Sequence, residues 1–230
     1  MPREIEINVK ITGGTVELES LHDELLWLEA SHVDSDMTRD TYYSSDHLPD
    51  GGILRIRESR DPYSKDEWKN AELCFKGPTS DLENGIKDRE EIECSGINEE
   101  NCRSILNALG YEEFVVVKKS RRVYELDDCV VMLDDLTDGL GQFVEVEGGT
   151  KTAVLAMIEK LGLSNNEVIL DSYAQLELER LNRLSHDENV QGVIDSLAEA
   201  VEHAKGNKEL KETVVEIPTT EKAGVFGAMD

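Results

Sequence analysis

Residues 4–11, E-I-E-I-N-V-K-I, alternate polar and apolar side chains without interruption. Successive side chains of a β-strand point to opposite faces, so this period of two predicts a strand with one apolar and one polar face. The polar face carries Glu4, Glu6, Asn8 and Lys10. This first strand therefore sets two carboxylates, an amide and an ammonium group in one row.

Further strands and helices follow from similar local patterns and from turn residues such as Gly77-Pro78. Strands are predicted at 38–44, 53–58, 71–76, 87–94, 113–126, 130–136 and 142–147. Helices are predicted from Thr15 to about His32, from the cap Asn98 to about Leu109, at 151–161 before Gly162, and at 172–184. The pattern is α+β, with about eight antiparallel strands that could curl or close into a barrel-like tunnel and with flanking helices.

The chain changes character after Ser185. Apolar residues then recur at helical spacing, at Val190, Ile194, Leu197 and Val201, and the tail from Gly206 shows weak periodicity. We therefore expect one domain over residues 1–184 and a helical appendage with a tail over 185–230. The apolar stripe of the appendage either packs on the domain or mediates a homodimer.

The composition limits the class of protein and its partners. A formal net charge of −26 over 230 residues argues against nucleic acid or an anionic membrane as partner, although a salty cytoplasm alone would also favour surplus acid. No apolar run approaches membrane-spanning length and no signal pattern opens the sequence, so a cytoplasmic location is expected. The four scattered cysteines are expected to be buried, reduced thiols, and no histidine is assigned a catalytic role.

The two tryptophans could be mistaken for base-stacking residues. Trp27 falls beside the leucines of the first predicted helix, which indicates a core position. Trp68 lies in the polar loop 61–70, which could overhang the mouth of the tunnel.

Charged residues fall two positions apart on several later strands, so the members of each group share a face. The groups are Arg55 and Arg57, Lys119 and Arg121, Glu145 and Glu147, and the mixed set Arg89, Glu91 and Glu93. A single group of this kind more often marks a solvated face. Segregation by sign instead favours an internal site in which facing carboxylates hold Mg²⁺ or Mn²⁺ and nearby cations hold a polyphosphate.

A set of short motifs stands in an order typical of one superfamily. They are E-I-E-I-N-V-K at 4–10, D-T-Y-Y at 40–43, L-R-I-R-E at 54–58, C-F-K-G-P at 74–78, R-E-E-I-E at 89–93, K-S-R-R-V-Y at 119–124, L-D-D-L at 133–136, L-G-Q-F-V-E-V-E at 140–147 and D-S-Y at 171–173. The chain resembles the CYTH superfamily, which joins class IV adenylyl cyclases and thiamine triphosphatases in the triphosphate tunnel, an eight-stranded closed barrel. F-K-G-P followed by R-E-E-I-E is more similar to the cyclase branch.

The resemblance implies a role for each matching residue. Divalent metal is implied for Glu4, Glu6, Asp134, Glu145 and Glu147. Phosphate is implied for Arg55, Arg57, Lys76, Arg89, Lys119 and Arg121, and Lys76 and Asp134 are the catalytic candidates. The implied reaction is the metal-dependent conversion of ATP to cyclic AMP and pyrophosphate, and the alternative is hydrolysis of thiamine triphosphate, a nucleoside triphosphate or inorganic tripolyphosphate.

The chain departs from the family at the opening signature, E-x-E-x-K, because Asn8 stands where the lysine belongs. Lys10 lies on the same face one pleat further, roughly 7 Å along the strand, and is the expected substitute phosphate ligand. A non-catalytic binder of polyphosphate or nucleotide is therefore a third reading. If the site is active, Asn8→Lys is predicted to raise activity on at least one triphosphate.

Overall fold

Eight antiparallel strands close into a single barrel, as the sequence and the resemblance predicted. The computed structural model describes residues 3–13, 15–64, 68, 70–79, 83–185 and 191. The strands are β1 (Arg3–Ile11), β2 (Ser31–Ser44), β3 (Ile53–Arg60), β4 (Asn70–Lys76), β5 (Lys87–Ser95), β6 (Glu112–Leu126), β7 (Cys129–Leu136) and β8 (Gly141–Gly148). Around the barrel they run in the order β1-β5-β4-β3-β2-β6-β7-β8, and β8 returns to β1. Each strand is thus paired on both sides, which leaves no open sheet edge.

Helices flank the barrel at positions close to those predicted. They are α1 (Thr15–Trp27), α2 (Glu99–Ala108), α3 (Lys151–Lys160) and α4, residues 173–185. The Asn98 side chain accepts a hydrogen bond from the Asn101 backbone N–H, which confirms the expected cap of α2. Two short 3₁₀ turns, Glu83–Gly85 and Thr137–Gly139, complete the described elements.

The main hydrophobic cluster lies outside the barrel wall and under the helices. Ile7, Val9 and Ile11 of β1 are buried there against Leu25 of α1 and Met157 of α3, together with apolar residues of β7 and β8. Because the apolar parity of β1 faces the helices, its polar parity faces the barrel interior. The alternation of residues 4–11 therefore directs Glu4, Glu6 and Asn8 inward, and all three are buried.

The predicted end of α1 is wrong by about five residues. The helix ends at Trp27, and Glu29 takes a left-handed φ of 60°, which lets the chain turn into β2. Trp27 itself is 80% exposed, so its predicted core position is also wrong. The helix buries Leu18, Leu21 and Leu25 instead, and Trp27 lies on the opposite side.

β2 begins at Ser31, seven residues before its predicted start. Residues 31–37 show no sustained alternation, but they pair with the distal half of the long strand β6, from Ser120 to Glu125. Pairing with a distant strand thus extends β2 where the local sequence gives no signal.

The chain divides into two compact units, residues 1–182 and 183–230. The barrel and helices α1 to α3 lie in the first unit. The predicted amphipathic helix through Val190, Ile194, Leu197 and Val201 lies outside the described residues, so the boundary after residue 184 and the appendage remain predictions. Among the described residues, no helix has both the length and the apolar character needed to cross a bilayer.

Candidate metal and triphosphate site

Four carboxylates meet at one position on the inner wall of the barrel. Glu4 and Glu6 come from β1, Glu145 and Glu147 from β8, and one carboxylate oxygen of each lies within 4.8 Å of the others. The register brings them together, because Glu6 lies opposite Glu147 and Asn8 opposite Glu145. Oxygen donors at this spacing fit a hard divalent cation such as Mg²⁺ or Mn²⁺.

The pKa values of this group reflect crowding of negative charge in a buried site. Burial, Glu145 and Glu4 raise the pKa of Glu147 to about 9. Burial, with Glu145 and Glu4 adding to it, raises the pKa of Glu6 to about 7 despite the nearby Lys76. The protein without metal therefore holds protons where a divalent cation would neutralise the same charge.

Two cations connect this carboxylate group to the next strands of the barrel. Lys76 Nζ contacts Glu4 Oε1 directly and lies 3.0 Å from Glu91 Oε1. Arg89 donates to Glu6 at 2.7 Å and to Glu4 at 3.2 Å. Burial alone would raise the pKa of Glu4, but Lys76 and Arg89 lower it to about 2.

A second cationic group surrounds Asp134, which is fully buried. Arg121 donates to both oxygens of Asp134, at 2.7 and 2.6 Å, and Lys119 Nζ donates at 2.9 Å. Arg121 also reaches Glu145 at 2.7 Å and so connects this group to the carboxylates. Burial and the neighbouring Arg121 lower the pKa of Lys119 to about 8.

Asp40 of β2 forms a third charged group that sequence reasoning did not single out. Arg57 donates to its two oxygens at 2.7 and 2.8 Å, and Arg55 Nη1 lies 3.5 Å from Oδ2. Burial would raise the pKa of Asp40, but Arg57 and Arg55 hold it well below the ordinary value. The period of two in β2, which turns Thr38, Asp40 and Tyr42 to one face, was the available signal.

A cavity of about 340 Å³ borders these groups. Its inner part is lined by Glu6, Asn8 and Glu145, and its cationic part by Arg55, Lys76, Lys87, Arg89 and Lys119. Its aromatic part is lined by Tyr42, Tyr43, Phe114 and Tyr173 together with aliphatic side chains. The cavity can thus hold a polyanion beside the carboxylates and an organic group toward the aromatic end.

The structure brings together most of the predicted site residues, but three of them lie apart from their expected neighbours. Arg57 and Arg121 are held by carboxylates behind the cavity lining. Asp134 accepts hydrogen bonds from cations and stands outside the group of four carboxylates. Its implied metal role therefore remains a prediction.

Lys10 does not contribute to the cavity lining. Its side chain is half-buried, and its backbone N–H donates to the Glu167 carbonyl, because residues 167–169 pair with the edge of β1 beyond the end of its pairing with β5. Lys87 and Tyr173 also line the cavity, although sequence reasoning gave neither of them a role in the site. Lys87 has the parity of Arg89 and could have been found from K-D-R, whereas the position of Tyr173 depends on the packing of α4.

A wider opening of about 530 Å³ lies near the other side of the carboxylate group and is lined by Glu91, Glu93, Asp128 and Glu147. Cys74, on the inner parity of β4, donates to Glu91 at 3.3 Å. Burial raises the pKa of this thiol to about 12, so it remains protonated at neutral pH. Cys74 is not a thiolate metal ligand in this state.

Two further expectations need correction. Cys74 and Cys129 are buried free thiols as predicted. Cys94 is exposed near the end of β5, and Cys102 is half-buried on α2. Trp68 does not overhang the cavity. Its ring lies 5.1 Å from the Arg39 guanidinium and 4.9 Å from that of Arg60, on the outer parity of β2 and β3.

Known proteins share this fold over most of the chain. A Methanocaldococcus jannaschii protein named "Putative adenylate cyclase" is 29% identical over 185 residues, which cover 75% of this chain and 97% of the relative. The structure of a conserved hypothetical protein from Pyrococcus furiosus aligns with a TM-score of 0.62 and 25% identity, over 75% of this chain and 99% of that one.

A plant structure is similar in fold alone. It comes from Hippeastrum, is described as a "Putative adenylyl cyclase" that "reveals a dominant triphophatase activity", and aligns with a TM-score of 0.56 and 17% identity over 78% of this chain and 96% of that one. The CYTH domain family itself matches residues 2–173. With the closed barrel and its internal charged groups, this match shows that the chain belongs to the CYTH family.

Proposed function

We propose that the chain is a divalent-metal-dependent enzyme that acts on a triphosphate inside the barrel. The observation that carries the proposal is the direct contact between two oppositely charged groups beside the cavity. Four carboxylates suited to a metal ion border cavity-lining cations suited to phosphate oxygens. A metal ion would neutralise the negative charge of the carboxylates, and a polyphosphate would neutralise the positive charge of the cavity-lining cations.

The protein side chains would bind and orient the phosphate chain. Arg55 is the clearest case, because its Nε is buried and has no hydrogen-bond partner among the described residues. An unpaired buried donor is costly, and a phosphate oxygen in the cavity would satisfy it. Lys76, Arg89 and Lys119 line the same cavity and would hold further oxygens in place before the reaction begins.

The implied metal would be held by Glu4, Glu6, Glu145 and Glu147. When bound, Mg²⁺ or Mn²⁺ would supply positive charge to the phosphate oxygens that become more negative during phosphoryl or nucleotidyl transfer. Lys76 and Asp134 remain the catalytic candidates. Lys76 contacts the carboxylates and would also reach the substrate, and Asp134, which pairs with Lys119 and Arg121, would orient them.

Among substrates, ATP and its conversion to cyclic AMP and pyrophosphate is our first candidate. The aromatic part of the cavity, where the Tyr42 and Phe114 rings lie 6.4 Å apart, supports a substrate with a flat organic group. The name of the M. jannaschii relative supports the same reaction. In this reaction the ribose 3′-hydroxyl attacks the α-phosphorus and pyrophosphate leaves.

Hydrolysis of a triphosphate is the second candidate, in which water attacks the terminal phosphorus. The description of the Hippeastrum protein supports it, since that barrel is described with a dominant triphosphatase activity. A non-catalytic binder remains the third candidate because of Asn8. For all three we propose a cytoplasmic protein without nucleic-acid or membrane partners, in keeping with the net charge of −26 and a nucleotide ligand.

One assay separates these candidates. Purified protein would be incubated with ATP, thiamine triphosphate or inorganic tripolyphosphate in Mg²⁺ or Mn²⁺, and cyclic AMP, pyrophosphate and phosphate would be measured separately. Cyclic AMP with equimolar pyrophosphate supports the cyclase, and phosphate release supports the triphosphatase. If calorimetry shows that the protein binds these compounds but none of them is turned over, the proposed enzymatic activity is wrong and the non-catalytic binding function remains.

A further inference from the structure

Lys87 is a buried cation of the cavity whose positive charge is the least neutralised by nearby carboxylates. Its side chain is 5% exposed and lines the cavity with Glu6 and Asn8. The nearest carboxylate oxygen among the described residues is Glu6 Oε1, at 3.7 Å, which is beyond hydrogen-bond distance. Lys76, by contrast, contacts Glu4 directly and lies 3.0 Å from Glu91.

The position of Lys87 relates it to the gap in the family signature. Lys87 lies opposite Glu6, the last residue of β1 that pairs with β5. Asn8 is the next inward residue of β1, roughly 7 Å further along the strand, where β1 pairs with residues 168–169 and no longer with β5, and Asn8 lines the same cavity as Lys87. A long side chain from residue 87 can therefore extend into the space beside Asn8, where a lysine of β1 would otherwise place its ammonium group.

Other residues near Asn8 do not provide this charge. Lys10 lies outside the cavity lining, and Tyr173, whose hydroxyl lies 3.5 Å from Asn8 Oδ1, is neutral. Lys119 is paired with Asp134 at 2.9 Å. Lys87 is thus a cavity-lining cation on β5, the strand next to β1. None of the described carboxylates accepts a hydrogen bond from its ammonium group.

We propose that Lys87 is a phosphate-binding residue that supplies from β5 the positive charge that Asn8 does not supply from β1. The ligand it would take is an oxygen of the phosphate chain of the substrate. This inference rests on the proposed function, since it assumes that a triphosphate enters the cavity. It also explains how the chain could keep an active site without the signature lysine.

The first test compares Lys87→Met with Lys118→Met. Methionine keeps much of the length of the side chain and removes the charge. Lys118 is an exposed lysine on the outer parity of β6, so its substitution removes the same charge away from the cavity. Calorimetry with inorganic tripolyphosphate and with ATP should show binding weakened roughly tenfold or more by Lys87→Met, the size of one lost charge-assisted contact. Lys118→Met should bind as the unchanged protein does.

The second test moves the charge between the strands. The double variant Asn8→Lys/Lys87→Asn should recover most of the affinity that Lys87→Asn alone loses, and Lys87→Arg should retain it. Thermal melting would establish that each variant is folded, and Lys87→Gln would replace Lys87→Met if the latter is not. A folded Lys87→Met or Lys87→Gln with unchanged affinity would overturn the proposal, and so would a double variant that recovers nothing.

The two proposals fail in distinguishable ways. If the unchanged protein binds neither tripolyphosphate nor ATP, the proposed function itself is wrong. If the unchanged protein binds them and Lys87→Met binds equally well, only the role of Lys87 is wrong.

Discussion

The hydroxyl of Tyr173 donates a hydrogen bond to Asp134 Oδ2 at 3.0 Å. Tyr173 is the first residue of α4, and its ring lies 5.1 Å from that of Phe143 and 4.9 Å from Lys119 Nζ. Asp134 also binds Lys119 and Arg121. The beginning of α4 therefore forms part of the cavity wall and positions the cationic group of β6 and β7.

We predict that Tyr173→Phe lowers turnover while the protein stays folded. The substitution keeps the ring packed on Phe143 and removes only the donor to Asp134, a loss of about 1 kcal/mol or roughly fivefold. Steady-state kinetics on the preferred triphosphate would measure the effect on kcat and KM. Tyr124→Phe, which removes the hydroxyl that contacts His22 outside the cavity, serves as a tyrosine control for fold stability. Unchanged kinetics in folded Tyr173→Phe would show that the hydrogen bond does not position the site.

The carboxylate group yields a second prediction, in which Glu145→Gln or Glu147→Gln abolishes metal-dependent activity without unfolding the protein. Each substitution removes a charged oxygen ligand and some of the repulsion within the group, and Glu145→Gln also loses the ion pair with Arg121, which stays bound to Asp134. Activity with Mg²⁺ or Mn²⁺ and melting in a chelator would be measured together. Full turnover, or outright unfolding, would argue against the role as metal ligand.

The raised pKa of Glu147 predicts how stability without metal depends on pH. The folded value is about 9 and the ordinary value 4.5, so between these the folded state binds more protons than the unfolded state. Stability is therefore highest below about pH 4.5 for this group and falls as the pH rises toward 9. Melting in a chelator should show Glu147→Gln a few degrees more stable than the unchanged protein at pH 9 and equal at pH 5. A constant difference across this range would contradict the assignment.

Metal binding should release protons in a pH-dependent way. Glu6, with a pKa of about 7, and Glu147, with a pKa of about 9, must lose their protons when Mg²⁺ or Mn²⁺ binds. The apparent affinity should rise with pH up to about 9. Calorimetry at pH 6 in buffers of different ionisation enthalpy would count the protons, and Glu147→Gln should release fewer. Equal release by the two proteins would show that Glu147 is not a ligand.

Asn8→Lys is still predicted to raise activity, but the structure adds a condition. If Lys87 already supplies a charge beside Asn8, a second ammonium group in the same space should add little in the unchanged protein. The gain should be larger in the Lys87→Asn background, by about 1 kcal/mol or more of coupling between the two sites. A double-mutant cycle on kcat/KM measures this coupling, and additive effects would mean that the two residues act independently.

The period of two in β1 determined much of the site before any tertiary structure was known. An alternating strand has one apolar face, and burial of Ile7 and Val9 under the helices turns Glu4, Glu6 and Asn8 inward whatever the neighbouring strands are. The cap of α2 at Asn98 was equally local, because it needs only a side-chain oxygen and the N–H of Asn101.

Only the tertiary structure decided which charged residues meet. The pairing of Glu6 with both Lys87 and Glu147, the pairing of Asp40 with Arg57, and the approach of Tyr173 to Asp134 join residues from 17 to 141 positions apart in the chain. These contacts depend on barrel closure and on the register of neighbouring strands, which no local pattern specifies. The exposed Trp27 is a second example of what the sequence alone does not determine. Helical spacing predicts which residues share a face, but only packing decides which residues are buried.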